Sequence, residues 1–334
     1  MTSKRTMNQF RWLAATLMLV AAMVVPSTAW AQNTITPTKP ANGVGTEASP
    51  YQISSKEELY WFAGLVNGDA SVCTGNVTQN TAACAKLTAS ITVNTGVLDA
   101  SGNLAGDVSG FSSWTPIGNN YNNRYTGTFD GNGYTISGLY FNSSNTYNVG
   151  LFGFISGGTI KNVGIVDSYF NGWEDVGGLC GNNQGTISDC YFFGSVSGNN
   201  FVGGLCGEMC NGSLSSCYFV GTVSGSSNTG AVCGYIDRAT ITNCFFNSDI
   251  FSGVAVEKND DGTITNVVAK TTEQFKSGEV AYQLNGDRDV WGQTINTNDY
   301  PIFGGSKVYA TTGCVSYSND PNHTGAVAHD FTHG

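Results

Sequence analysis

A glycine-rich element returns at nearly fixed intervals through the middle of this chain. It reads Val149-Gly150-Leu151-Phe152-Gly153, Gly177-Gly178-Leu179-Cys180-Gly181, Gly203-Gly204-Leu205-Cys206-Gly207 and Gly230-Ala231-Val232-Cys233-Gly234, with final glycines 28, 26 and 27 residues apart. A second element follows each copy. Thr159-Ile160-Lys161-Asn162-Val163 recurs as Thr186 to Cys190, Ser213 to Cys217, Thr240 to Cys244 and Thr263 to Val267, at spacings of 27, 27, 27 and 23. Thr135 to Leu139 is an earlier copy. Fixed periods of this size mark repeat architectures, in which each unit buries its apolar face only against its neighbours.

The residues within a repeat favour strands. In Cys190-Tyr191-Phe192-Phe193-Gly194-Ser195-Val196 alternate residues share a face, so Cys190, Phe192, Gly194 and Val196 point one way. The next repeats place Cys217, Phe219, Gly221 and Val223 there, then Cys244, Phe246, Ser248 and Ile250. Three short strands and three Gly/Asn turns account for one repeat. Coils stacked ~4.8 Å apart would align like residues in ladders. The expected fold is all-β, a right-handed parallel β-helix (solenoid) over residues 110–268, in preference to an antiparallel sandwich or a propeller. Open solenoid ends would expose unpaired edges, and short helical caps are expected at both. Ser55-Lys56-Glu57-Glu58 reads as a capping box before an amphipathic helix carrying Leu59, Phe62, Ala63 and Val66, within an N-terminal segment 32–109. Residues 269–309 read as the C-terminal cap, helical from Thr272 to Asn285 with a weak point at Gly278 and finished by Trp291, Tyr300, Ile302 and Phe303.

Residues 1–31 read as a cleaved secretory signal peptide: Lys4, Arg5 and Arg11, an apolar run from Trp12 to Val25, then Ala29-Trp30-Ala31. That run falls short of the ~20 residues of a spanning helix, and no membrane span is expected after signal removal. Of 14 basic groups three lie in the leader, which leaves 11 against 24 acidic ones. Such a balance argues against nucleic acid, whose phosphates need Lys and Arg. Charged residues make up only 11% of the chain while Gly numbers 44, so the polar surface is built mostly from neutral side chains. The ten cysteines would meet an oxidising compartment. Residues 310–334 read as a flexible tail, with truncation left open.

The Gly-Leu-x-Gly elements and the Thr-Ile-x-Asn-Cys strands resemble proteins carrying the GLUG motif, found in large secreted and surface proteins of bacteria. Trp114 to Gly118, Thr126 to Gly133 and Ser277 to Tyr282 look like segments of Bacteroidetes members. The resemblance spans residues 45 to 310 and implies a fold and an adhesin-like surface location. Such repeats also accompany IgA-specific metallopeptidases, whose chemistry needs a His-Glu-x-x-His zinc motif. That motif is absent here, because the only histidines are His323, His329 and His333. No catalytic residue carries over.

Each candidate site has a plain structural reading beside it. The three histidines are read as part of a flexible tail rather than a metal site. Asp130-Gly131-Asn132-Gly133 opens like a calcium loop, but its twelfth position is Phe141 rather than Glu, so a tight turn is expected. Cys190, Cys217 and Cys244 should be free buried thiols, since parallel stacking gives poor disulfide torsions. Of Leu179 and Cys180, strict alternation admits only one to the interior, and the leucine is expected there. Cys73 and Cys84 flank a Thr/Asn-rich loop and form the disulfide candidate, while Cys314 has no evident partner. Tyr191, Tyr218 and Phe245 should stack on the outward face of one wall and offer a ligand-binding surface. Glu174-Asp175 could approach Glu208 on the next coil as a weak acidic patch. No cofactor is implied and no catalytic constellation stands out. The expected function is adhesin-like binding of a glycan or a host or surface protein, the alternatives being a structural spacer or, less favoured, a carbohydrate-active enzyme.

Overall fold

The computed structural model describes residues 35–310 and 316–321, so the leader, Cys314 and the three histidines lie outside the described residues. The chain opens with β1 (Tyr51–Ile53), helix α1 (Lys56–Asn67), β2 (Ala85–Leu87), β3 (Ile91–Thr92), β4 (Thr128–Asp130), β5 (Thr135–Ser137) and β6 (Tyr140–Asn142). The regular repeats follow as β7 (Tyr147–Val149), β8 (Phe152–Lys161), β9 (Gly164–Asn171), β10 (Glu174–Gly177), β11 (Cys180–Ser188), β12 (Tyr191–Ser197), β13 (Asn200–Gly203), β14 (Cys206–Cys210), β15 (Ser213–Ser215) and β16 (Tyr218–Ser224). The stack continues with β17 (Thr229–Gly230), β18 (Cys233–Asp237), β19 (Thr240–Asn247), β20 (Val256–Asp260) and β21 (Thr263–Lys270). After it come α2 (Thr272–Lys276), α3 (Glu279–Asn285), β22 (Trp291–Gly292), β23 (Ile302–Phe303), β24 (Tyr309–Ala310) and β25 (Tyr317–Ser318).

Every pairing within the stack is parallel, so the chain winds as a β-solenoid with three walls. The first wall is the sheet β7-β10-β13-β17. The second runs from β8 through β11 to β14 with β15, then β18 with the start of β19, then β20 with the start of β21. The third holds β9, β12, β16 and the far ends of β19 and β21. The stack reaches back past the visible repeats, because β1 pairs with β2, β2 with β4 and β4 with β8.

The recurring Asn, Asp and Ser of the second sequence element make the corners. Asn162, Asp189, Ser216, Asn243 and Asn266 all have φ between 51° and 55°, a left-handed conformation that Asn and Asp tolerate better than most residues. Each corner turns the chain from the second wall to the third. Inside run the expected columns: Ile160, Ile187, Leu214 and Ile241; Cys190, Cys217 and Cys244; Phe192 and Phe219, stacked 6.1 Å apart; all are fully buried. Each such ring contributes about 1.5–3 kcal/mol. Leu179 and Cys180 are both interior, at 1% and 0% exposure. The expectation that only one could enter fails because Leu179 lies at the corner between β10 and β11, where strand alternation does not apply.

The two ends differ. At the N-terminal end α1 packs into the stack, with Phe62 against Tyr125 and Phe129 and with Leu59 and Val66 fully buried. The Ser55 side chain accepts from the Glu58 amide, and the Glu58 carboxylate accepts from the Ser54 amide rather than closing the box on Ser55. At the other end the cap expected over the last coil lies elsewhere. Helices α2 and α3, separated at Gly278 in a left-handed conformation, pack on the flank of the third wall together with β22 and β23. The last coil is left open: Val254, Ile264 and Val268 are 51%, 42% and 37% exposed.

Candidate functional site

The outward aromatic ladder exists but offers no free surface. Tyr191, Tyr218 and Phe245 align in register, with the two tyrosine rings stacked at 5.1 Å. They are only 6%, 0% and 0% exposed, because Phe275, Val280, Leu284, Trp291 and Tyr300 cover them as a second core. The Tyr218 hydroxyl donates to the Pro301 carbonyl at 2.6 Å. Burial pushes all three hydroxyls of Tyr191, Tyr218 and Tyr300 up. The exposed ladder expected from the alternation is therefore corrected to a buried one.

Cys73 and Cys84 are likewise free thiols rather than a disulfide. Each donates instead to a nearby carbonyl, Gly64 and Ala82 respectively. The interior cysteines are free and buried. Asp130 to Gly133 is a turn: the Asp130 carboxylate accepts from the Asn132 amide at 2.8 Å, and Asn132 and Gly133 have φ of 52° and 81°. Among the described residues no group of three or more His, Cys, Asp or Glu side chains could hold a metal ion.

The outer face of the second wall carries a different constellation. Phe154, Asn182, Glu208, Tyr235 and Lys258 stand in one register column, each on the next coil. Beside it runs a column from the first wall, Asn148, Asp175, Phe201 and Asn228, all left-handed with φ between 45° and 58°. The final glycine of each Gly-Leu-x-Gly element lets the two columns meet. A Cβ on Gly207 would stand 2.4 Å from the Val176 nitrogen and 2.5 Å from the Asp175 carbonyl carbon, far inside van der Waals contact. The motif's glycine is thus required by backbone packing against the left-handed residue one coil earlier.

At the middle of the strip Asp175, Asn182 and Glu208 converge. The Asn182 amide donates to Glu208 Oε2 at 2.5 Å, and the Cys210 thiol donates to Glu208 Oε1 at 3.2 Å. Burial, followed by the charges of Glu208 and Glu174, pushes the Asp175 carboxyl up to about 8. The raised value favours the protonated form of Asp175 near neutral pH. Glu174 itself accepts from the Asn200 amide at 2.8 Å. The expected acidic patch is thus assembled by the fold, with Asp175 and Glu208 at its centre.

Aromatic rings flank the carboxyl pair. On one side Arg124 lies over the ring of Tyr121, which is 65% exposed and contacts Phe154. On the other, Phe201 stacks on Tyr235 with centroids 5.0 Å apart and planes at 24°, and Lys258 lies 4.7 Å from the Tyr235 ring centre. The Tyr235 hydroxyl donates to Asp260 at 3.0 Å, which raises it to about 12. Phe201 and Tyr235 escaped the sequence reading, although a signal was present. Aligning the residues before Val149-Gly150, Val176-Gly177, Val202-Gly203 and Thr229-Gly230 gives Asn, Asp, Phe and Asn, and phenylalanine is the odd member.

Comparison with known proteins agrees with this architecture. The family described as the GLUG motif matches residues 174–197, one coil from β10 to β12. Halomucin of Haloquadratum walsbyi is 32% identical over 170 residues, which is 50% of this chain and 2% of that protein. A proposed Gly-rich membrane protein of Evansella cellulosilytica is 38% identical over 84 residues, 24% of this chain and 10% of the relative. The chain thus spans a small fraction of either relative, both of them surface- or membrane-type proteins. Among solved structures a proposed immunoglobulin A1 protease from Bacteroides ovatus superposes with a TM-score of 0.51 at 18% identity, covering 80% of this chain and 96% of that one; the likeness is one of fold. No described helix is long and apolar enough to cross a membrane.

Proposed function

From a surface-type repeat protein built on the GLUG motif, we propose that the chain is a secreted, non-enzymatic adhesin whose second wall binds a glycan of neutral sugars. The observation that carries this reading is Phe201. A bulky residue at φ 48° is a backbone outlier that costs on the order of 1–3 kcal/mol. Its column neighbours are the Asn and Asp residues suited to that conformation. The cost is accepted where the ring gains an outward stack on Tyr235, and flat rings beside hydrogen-bonding carboxyl and amide groups suit sugars, which present apolar faces and hydroxyl edges. The excess of acidic over basic groups, 24 against 14, disfavours polyanions as the natural ligand, and the carboxyl groups of the strip disfavour them further.

The test is glycan-array and mucin binding by the purified chain without residues 1–31, using Phe201→Asn and Tyr235→Ala. Phe201→Asn restores the residue type of the column, so it should fold at least as well as the parent. Each variant is expected to lose binding about ten-fold, in line with the ~1–3 kcal/mol of an aromatic stacking contact. Full retention of binding in the Phe201→Asn, Tyr235→Ala double variant would remove this wall from consideration. Released sugar from any array member would point instead to an enzyme.

A further inference from the structure

We propose that two copies of the chain associate end to end through the open last coil, about a two-fold axis at Asn259. The interior columns do not finish at this end; they stop. Ile264 continues the column of Ile160, Ile187, Leu214 and Ile241, whose members are fully buried, yet it is 42% exposed. Val267 continues the column of Cys190, Cys217 and Cys244 and is only partly covered. Among the described residues, strands β20 and β21 each pair on one side alone, with β18 and β19, so their other edges present unpaired backbone groups. The surface complementary to an open coil is another open coil of the same cross-section.

Head-to-tail stacking is disfavoured, because at the opposite end α1 packs Leu59, Phe62 and Val66 into the core, Phe62 against Phe129. What remains is the contact of one open end with its own copy, an isologous contact that closes on itself. The sequence of the last coil is self-complementary for that operation. With β20 antiparallel to the partner's β20 and Asn259 facing itself, position 258 meets 260. Lys258, which lies 3.4 Å from Asp260 of its own strand, then faces a second aspartate across the axis, once on each side of it. Val254 and Ile264 are the two most exposed large apolar residues of the coil. The contact therefore pairs these charges across the axis while the two open ends cover each other's exposed Val254 and Ile264.

Sedimentation of the full chain over a concentration series tests this. The wild type should be a monomer–dimer system with no larger species. Ile264→Asp changes an exposed side chain, so folding is retained, and should raise the dimer dissociation constant about ten-fold or more. Lys258→Asp and Asp260→Lys should each weaken the dimer, and the double exchange should restore it. A dimer indifferent to Ile264→Asp, an open-ended polymer, or a double exchange no tighter than the single variants would overturn the proposal. So would a wild-type monomer whose β20 amides resist hydrogen exchange, which would assign the edge to a segment of the same chain.

Discussion

Single left-handed residues decide the shape of each coil. The corner column Asn162, Asp189, Ser216, Asn243 and Asn266 was readable as an Asn-rich position in the repeat, although its meaning as a turn between walls comes from φ rather than from residue type. The second column, with Asp175 and Phe201, was less legible, since only the alignment of unlike residues reveals it. Phe201→Asn is expected to raise the unfolding free energy by about 1 kcal/mol, read by denaturant titration, because the left-handed backbone is easier for Asn. Gly207→Ala should cost more than ~2 kcal/mol, since its Cβ meets main chain that cannot step aside. Asp175 gives a pH signature. Its carboxyl binds a proton more tightly in the folded chain, up to about 8, than at the ~3.9 of an unfolded aspartate. Its contribution is therefore complete below about pH 4 and is lost as pH rises through about 8. Asp175→Asn, which mimics the protonated form, should flatten the pH dependence of the unfolding midpoint across that window. A slope unchanged in the variant would assign the effect to other groups.

The element least legible in the sequence is the C-terminal flank. Alternation along β12 and β16 reports which side chains enter their own coil, and it placed Tyr191 and Tyr218 outside correctly. It carries no information on a segment arriving 83 residues later, as Pro301 does on Tyr218. An amphipathic helix pair could cover an open end or an aromatic wall with equal local propriety, and here the wall won. The polar anchors beneath it are specific. Lys270 and Glu279 pair at 2.5 Å with side chains 9% and 10% exposed. Arg288 reaches Asp189 at 2.8 Å and Ser216 at 2.7 Å, and the Asn247 amide donates to Thr272 and Tyr300. Glu279→Ala should cost about 3 kcal/mol by stranding a buried ammonium group, whereas Lys270→Met with Glu279→Leu should recover most of it. Denaturant unfolding of the two variants checks this. If the single variant is as stable as the double, the pair is not what fastens the flank.

At the scale of the whole molecule, the spacing of the glycine elements was enough to foresee parallel stacking and the identity of most interior columns. It did not foresee the earliest coils, whose strands β1, β2 and β3 are two or three residues long and separated by irregular loops. The interior makes a chemical prediction. Cys180, Cys190, Cys206, Cys217, Cys233 and Cys244 are all 0% exposed, and burial pushes the thiols of Cys180, Cys206, Cys217 and Cys233 up. In the native chain these six should resist a thiol reagent that modifies the part-exposed Cys73, and all should react together on unfolding. Stepwise labelling from one end would instead show the stack fraying coil by coil.

The glycine beneath each left-handed residue has one more consequence. It makes the frame indifferent to the side chain above it: Asn148, Asp175, Phe201 and Asn228 occupy the same seat with a polar, an acidic, an aromatic and again a polar group. Each coil therefore contributes one interchangeable letter to a linear inscription along the wall. Duplicating a coil lengthens the text by a letter and leaves the interior grammar intact, so new recognition can arise by copying and respelling rather than by rebuilding a core.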